Sequence, residues 1–82
     1  MEIHATKRYD RLLEKLVRKN PEYHLFVTNR LLLLRNSPHH PSLRLHKLAN
    51  RENEYAISIS QSIRIIFFME QRHLLFTRHR FA

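Results

Sequence analysis

The sequence predicts an α+β protein in which two N-terminal helices pack on one face of an antiparallel sheet of about four strands. Three observations predict this fold class. Apolar residues recur at helical spacing as far as Leu34, and they alternate with polar residues after Pro41. The chain of 82 residues has room for a single domain, spanning 1–82. Helices that cover one face of a sheet leave its other face free for a functional site.

The first two predicted elements are a short strand over Glu2–Ala5 and a helix that follows it. Thr6 is the predicted N-cap, because a threonine side chain can accept a hydrogen bond from the open first turn of a helix. The apolar positions of this helix form one stripe, made of Tyr9, Leu12, Leu13, Leu16 and Val17. The stripe is expected to face the core.

A second helix is predicted to begin at Asn20-Pro21, with the asparagine as its cap, and to end at Asn36-Ser37-Pro38. Its expected buried side consists of Tyr23, Phe26, Val27, Leu31 and Leu34. Leu25 and Leu32 fall on its polar side. They are either incidental, since single exposed leucines are normal, or part of a docking patch for a partner.

The alternating second half predicts the remaining strands. Their core-facing positions are Leu43 and Leu45, then Tyr55, Ile57 and Ile59, then Ile63, Ile65, Phe67 and Met69, and finally Leu74 and Phe76. Turns are expected at Gln61-Ser62 and at Glu70-Gln71-Arg72. The chain contains no glycine, so these turns must use other residues.

The charge balance narrows the possible functions. Fifteen lysines and arginines stand against seven acidic residues, which gives a net charge of +8 and favours RNA or DNA as partner, then acidic proteins. The apolar runs are far too short to span a membrane and the N-terminus has no signal-peptide pattern, so a cytoplasmic protein without a membrane partner is expected. Without cysteine or glycine, thiolate chemistry and a glycine-rich phosphate loop are excluded.

Two stretches of the second half resemble motifs of the RelE/ParE superfamily of toxins. His40–Leu48 is similar to the His-Pro-Ser-Leu-x-x-His-Lys-Leu segment of many members. Tyr55–Ile59 followed by Ile63–Phe67 resembles the next strand pair, whose second strand carries an Arg-Ile/Val-hydrophobic-Phe signature. With the two preceding helices, the resemblance covers nearly the whole chain.

This resemblance implies a RelE-like fold and a toxin held inactive by a small cognate antitoxin, in a heteromeric toxin–antitoxin complex. Many members cut messenger RNA in the ribosomal decoding site. The expectation is therefore a ribosome-dependent endoribonuclease, or mRNA interferase, that requires no metal and no cofactor. Two alternatives stay open: a non-nucleolytic toxin of the ParE type that inhibits DNA gyrase, and a catalytically degenerate member that only binds RNA or ribosomes. Leu25 and Leu32 are the expected antitoxin-binding residues.

Arg64 and His46 are the first two candidate catalytic residues. Arg64 interrupts an otherwise apolar strand, and a guanidinium is always charged and can bind two phosphate oxygens at once. The alternatives for it are a structural ion pair or an outward position on an edge strand. His46 falls on the motif histidine and by strand alternation faces away from the core. An imidazole suits acid–base work, although a plain exposed histidine is an equal interpretation.

His79 is a third and weaker catalytic candidate. Related toxins often close with Gly-Thr-His-Asp-Glu-Val-Tyr, whereas Arg80 and Phe81 occupy the acidic and tyrosine positions here. Four basic residues are expected to contact the RNA backbone or to be surface charge only: Arg44, Lys47, Arg78 and Arg80. No metal site is expected at His39-His40, since adjacent histidines point in different directions and few carboxylates are near.

Overall fold

A computed structural model describes residues 2–49 and 51–81 of the chain. Its elements are β1 (Glu2–Ala5), α1 (Lys7–Lys19), α2 (Tyr23–Asn36), a short 3-10 helix (Pro41–Leu43), β2 (His46–Lys47), β3 (Glu54–Ser58), β4 (Ile63–Glu70) and β5 (His73–Phe81). The predicted α+β class is confirmed. In the part of the chain that the structure describes, no helix is long and apolar enough to span a membrane.

The strands form one five-stranded sheet in the order β1-β5-β4-β3-β2. The prediction of about four antiparallel strands is wrong in the number and in one pairing, because β1 lies parallel to β5 at the edge of the sheet. A parallel pair needs a long crossover, and here the chain between β1 and β5 includes both helices and the other three strands. The sequence pattern of β1 carries no sign of so distant a partner.

Helix α1 begins where the sequence predicts. The Tyr9 backbone N–H donates to the Thr6 hydroxyl oxygen over 3.0 Å, which makes Thr6 the N-cap. The side chain of Tyr9 is buried, and Leu13, Leu16 and Val17 pack against the core from the same stripe. One amphipathic face therefore holds α1 on the sheet.

Helix α2 begins at Tyr23, later than the predicted start at Asn20-Pro21. Asn20 forms a turn instead: its side-chain oxygen accepts from the Glu22 N–H at 3.2 Å and its carbonyl accepts from the Tyr23 N–H at 3.0 Å. The prediction that Phe26 is buried is also wrong, because 48% of this residue is exposed. The helix packs through a narrower stripe that includes Val27 and Leu34.

The chain before β2 is a 3-10 turn rather than a strand, so the strand predicted at Leu43 and Leu45 is wrong. Pro41 fixes its own φ and lacks an N–H, and the His40 side chain caps the turn by accepting from the Ser42 N–H at 3.2 Å. Arg44 then takes a left-handed φ of 50°, which ends the turn. Leu43 is fully buried all the same.

Both helices cover the same face of the sheet. The core joins helix residues to alternate strand residues, namely Tyr9, Tyr23, Val27, Leu34, Leu43, Ile57, Ile59, Ile65, Phe67, Leu74 and Phe76. The intervening strand residues point to the opposite side, which we call the open face. The candidate functional site lies on this open face.

Candidate nucleic-acid interface

Three arginines share one end of the open face. Arg64 on β4 lies directly opposite Arg80 on β5, and Ile66 on β4 lies opposite Arg78. The residues flanking Arg64 along β4, Ile63 and Ile65, belong to or pack against the core, so alternation places the arginine side chain on the other side. The structure thus brings Arg64 together with Arg78 and Arg80, which lie more than ten residues further along the chain. We call them the arginine cluster: Arg64, Arg78 and Arg80.

The arginine cluster has no acidic partner within residues 2–49 and 51–81, since each of the salt bridges there involves other cations. Like charges that face each other across two strands destabilise a sheet. The structural ion pair considered for Arg64 is therefore not formed by the described residues. The Arg64 side chain is half-buried, and its cross-strand neighbour is Arg80. Guanidinium groups in this arrangement are suited to bind an anion such as phosphate.

His46 completes a row across the same face. It pairs with Ala56 on β3, Ala56 pairs with Ile66 on β4, and Ile66 pairs with Arg78. From the spacing of strands and the rise per residue, the Cα atoms of His46 and Arg64 are roughly 12 Å apart. A gap of that size is short enough for both side chains to contact one nucleotide.

The hydrogen bond of His46 determines which ring nitrogen is available. Its Nδ1 lies 2.8 Å from the Arg44 carbonyl oxygen, which can only accept, so Nδ1 carries a proton and donates. Nε2 is therefore the ring nitrogen that is not engaged by this hydrogen bond and is free to contact a substrate. The left-handed conformation of Arg44 holds this carbonyl next to the ring that it orients.

An open depression of about 630 Å³ lies at the end of β3. Ser58, the cross-strand partner of Arg64, is part of its lining together with Phe26, Arg30 and Arg44. Arg30 is held in place by donating to the Ile59 carbonyl at 3.5 Å and to the Ser42 hydroxyl at 3.1 Å. An aromatic ring and two arginines therefore line the depression, a combination that suits a nucleic-acid base and its phosphate.

Phe26 and Arg30 are the site residues that sequence analysis missed. The spacing of Phe26 on α2 matches the buried stripe and therefore predicts a core position. Arg30 gave no signal, because an arginine on a helix is usually a solvated surface residue. Only the packing of α2 beside the end of β3 brings both side chains to the depression.

Lys47 does not join this site. Strand alternation turns it away from its neighbour His46, and its cross-strand partner is Tyr55, whose ring stacks at 6.2 Å on the core residue Phe67. Of the predicted RNA-contacting residues, Arg78 and Arg80 are in the arginine cluster and Arg44 lines the depression, while Lys47 lies on the other side of β2.

His79 lies on the helix-covered face, opposite the arginine cluster. It pairs with Ile65, and its ring stacks on Tyr9 at 4.7 Å and meets Tyr23 edge-on at 6.1 Å. Only 8% of it is exposed, and burial lowers its pKa to about 4. The imidazole is therefore neutral near pH 7 and has no direct path to a phosphate bound at Arg64.

A β-bulge explains why strand alternation placed His79 incorrectly. Counting from Leu74 and Phe76 puts His79 on the open face and Arg78 in the core. The register shifts between Ile66 and Phe67, where Thr77 is the extra residue on β5 and donates its hydroxyl to the Ile66 carbonyl at 3.2 Å. One inserted residue moves every later side chain of the strand to the opposite face of the sheet.

Helix α2 exposes an apolar surface away from the core. Leu25 is 64% exposed and Leu32 54%, and they are two turns apart on the helix. Their placement agrees with the sequence prediction that they lie on the solvent side of the helix.

Known proteins with a similar structure were found, although none matches by sequence. No protein-family model and no curated protein matches the sequence. A chain of the E. coli DinJ-YafQ toxin–antitoxin complex matches with a TM-score of 0.80 at 17% identity, covering 98% of this chain and 90% of that one. The YoeB/ParE toxin from Agrobacterium tumefaciens matches with a TM-score of 0.79 at 13% identity, covering 100% and 99%. YoeB from Staphylococcus aureus, solved as a dimer, matches with a TM-score of 0.79 at 13% identity, covering 100% and 97%. The chain therefore shares its fold with these toxins, which confirms the fold expected from the sequence.

Proposed function

We propose that this chain is the toxin of a type II toxin–antitoxin system and an endoribonuclease that cleaves messenger RNA on the ribosome in the cytoplasm. The observation that carries the proposal is the arginine cluster, which has no acidic partner among residues 2–49 and 51–81 and shares the open face with an oriented histidine. The arginines on such a face can bind a phosphate, and the histidine can transfer a proton beside it.

The chemistry needs little more than these groups, because RNA carries its own nucleophile. The 2′-hydroxyl attacks the neighbouring phosphorus, and the bond to the 5′-oxygen of the next nucleotide breaks. Arg64 and Arg80 bind the non-bridging oxygens and stabilise the charge that builds up on the phosphorane. Nε2 of His46 carries out one of the two proton transfers. His79 is given no part in this proposal, because it lies beneath the helices.

A cognate antitoxin is the proposed protein partner. The E. coli neighbour of the same fold was solved in complex with its antitoxin. On this chain, the apolar surface of α2 at Leu25 and Leu32 offers a docking patch, and the net charge of +8 favours an acidic partner. An antitoxin that docks there is expected either to extend acidic side chains to the open face or to displace an element from it.

The test of this function is Arg64→Ala, assayed by growth arrest on expression and by primer-extension mapping of cuts in a translated message. Loss of one such electrostatic group typically lowers the rate roughly a hundredfold to a thousandfold. Arg64→Lys is expected to recover only part of this, because an ammonium keeps the charge without the two-pronged geometry. The matched control is Arg18→Ala on the exposed side of α1, which is expected to cut normally.

Two results would contradict the proposal. If Arg64→Ala keeps a native circular dichroism spectrum and cuts at the wild-type rate, the arginine cluster is not the active site. If the wild-type protein arrests growth without cutting RNA, inhibition of a protein target such as gyrase replaces cleavage as its function.

A further inference from the structure

We infer that Glu2, His4 and His73 form a binding site for a divalent transition-metal ion, with Zn²⁺ as the representative ion. The site lies at the edge of the sheet where β1 pairs with β5. It does not depend on the proposed nuclease function.

The parallel pairing of β1 with β5 creates this juxtaposition. Glu2 is the register partner of His73, and His4 lies two residues further along β1, opposite Leu75. Because side chains alternate along a strand, Glu2 and His4 share a face, and His73 is on that same face of the neighbouring strand. We call these three residues the edge triad.

The ligand atoms of the edge triad are close enough to share one ion. One oxygen of Glu2, Oε2, is 2.9 Å from Nδ1 of His73 and 3.7 Å from Nε2 of His4. The ligand atoms of all three residues lie within 4.8 Å of one another. Bonds of about 2.0–2.1 Å in a tetrahedral site place neighbouring ligand atoms roughly 3.3 Å apart, so small side-chain rotations suffice to close the site.

The donor set is one that transition metals select. Two imidazole nitrogens with one carboxylate oxygen bind zinc in proteins, with water in the remaining position. The two histidine rings already lie nearly parallel, with centroids 6.2 Å apart and an interplanar angle of 20°. A depression of about 550 Å³, lined by His4, His73 and Glu70 among others, leaves room for that water.

Ion pairing alone explains the arrangement poorly. The side chains of the edge triad are 60–65% exposed, and exposed pairs of this kind contribute little to stability. A bound ion would instead tie the four-residue edge strand β1 to β5. The triad is far from the arginine cluster, since His73 and Arg80 stand at opposite ends of β5, roughly 20 Å apart at the rise of a strand. The ion would therefore stabilise the sheet edge and would not contact a phosphate bound at the arginine cluster.

The experiment is a calorimetric titration of untagged, chelator-treated protein with Zn²⁺, followed by Co²⁺ absorption spectroscopy to report the ligand field. Saturable binding of one ion per chain is expected, and His4→Ala, His73→Ala and Glu2→Gln are each expected to weaken it at least about tenfold. Zn²⁺ should also raise the Tm and slow hydrogen exchange in β1. The matched control is the double variant His39→Ala/His40→Ala, which is expected to bind as the wild type does.

The inference is overturned if no saturable binding occurs. It is also overturned if the three triad variants, shown to be folded by circular dichroism, bind Zn²⁺ with wild-type affinity. If the His39/His40 variant loses binding and the triad variants keep it, the ion belongs to the other histidine pair. Growth arrest and RNA cleavage play no part in these readouts, so failure here leaves the proposed function standing.

Discussion

At the scale of single residues, His79 shows how burial decides the chemistry of a side chain. Both of its ring nitrogens, and the hydroxyls of Tyr9 and Tyr23 beside it, lack hydrogen-bond partners among the described residues. Burial lowers the pKa of His79 to about 4 and raises that of Tyr23 to about 12. The group of rings thus stays uncharged across the physiological range and behaves as part of the core.

We predict that the protein loses stability as the pH falls, because unfolded His79 binds a proton that the folded form excludes. Its unfolded pKa is near 6.5, so the stabilisation is complete above that value and is lost toward pH 4. Between pH 7 and pH 5 the free energy of unfolding should fall by roughly 2 kcal/mol from this residue alone. Urea unfolding of the wild type and of His79→Phe at both pH values measures the difference, which the variant should lack.

The same variant tests the position of His79 in the proposed site. His79→Phe keeps the aromatic stack on Tyr9 and removes the unpaired nitrogens, so we expect wild-type RNA cleavage and a gain of about 1 kcal/mol in stability at pH 7. A well-folded His79→Phe protein that no longer cuts would return His79 to the catalytic site.

At the scale of elements, the chain makes its turns without glycine. Arg44, Asn53 and Gln71 all have positive φ, at 50°, 59° and 54°. Asparagine tolerates this region, whereas a glutamine there carries a steric penalty from its Cβ. The tight turn between β4 and β5 at Gln71 is therefore a strained element.

We predict that Gln71→Gly stabilises the protein by about 0.5–1 kcal/mol, because glycine removes that penalty. Asn53→Gly is the matched control and should change stability by much less. Thermal unfolding of the two variants is the measurement, with an expected Tm increase of a few degrees for Gln71→Gly only. Equal shifts in both variants would show that the Gln71 turn holds no such strain.

The exposed leucines of helix α2 test the proposed docking patch for the antitoxin. Leu25→Asp combined with Leu32→Asp should leave the fold intact, because both side chains are largely exposed, and should weaken antitoxin binding at least about tenfold. Phe81→Asp is the control, since Phe81 is 61% exposed but lies at the end of β5. Titration calorimetry with the antitoxin compares them. Equal affinity for the double variant and the wild type would place the docking patch elsewhere.

At the scale of the whole molecule, a net charge of +8 on a small domain favours approach to any polyanion. The arginine cluster concentrates part of that charge on the open face, while others such as Arg18 are on the helix side. Affinity for the ribosome should therefore contain a large contribution from phosphate contacts.

We predict that ribosome binding weakens steeply as salt rises. The logarithm of the affinity should fall linearly with the logarithm of the salt concentration, and Arg80→Ala should reduce that slope by roughly 0.7, the value for one contact to single-stranded RNA. Arg18→Ala should leave the slope unchanged. A flat salt response of the wild type would indicate a mainly apolar protein target instead.

The sequence by itself determined the α+β class and most of α1, and it singled out Arg64 as a candidate site residue. These depend on local physics: a threonine cap, a helical stripe, and one charge within an apolar strand. Its resemblance to RelE-like toxins also predicted the fold that the structural neighbours share. The charge of the chain indicated a polyanionic partner without indicating which face would bind it.

Only the tertiary structure decided which side chains meet. The parallel pairing of β1 with β5 brings Glu2 to His73, and no pattern in a four-residue strand specifies a partner so far along the chain. Because of the bulge at Thr77, Arg78 points to the open face and His79 to the core, the reverse of strict alternation. Arg78 therefore lies in the proposed site and His79 does not. A strand repeats every two residues, so a single inserted residue reverses its facing, and that insertion is set by the neighbouring strand rather than by the local sequence.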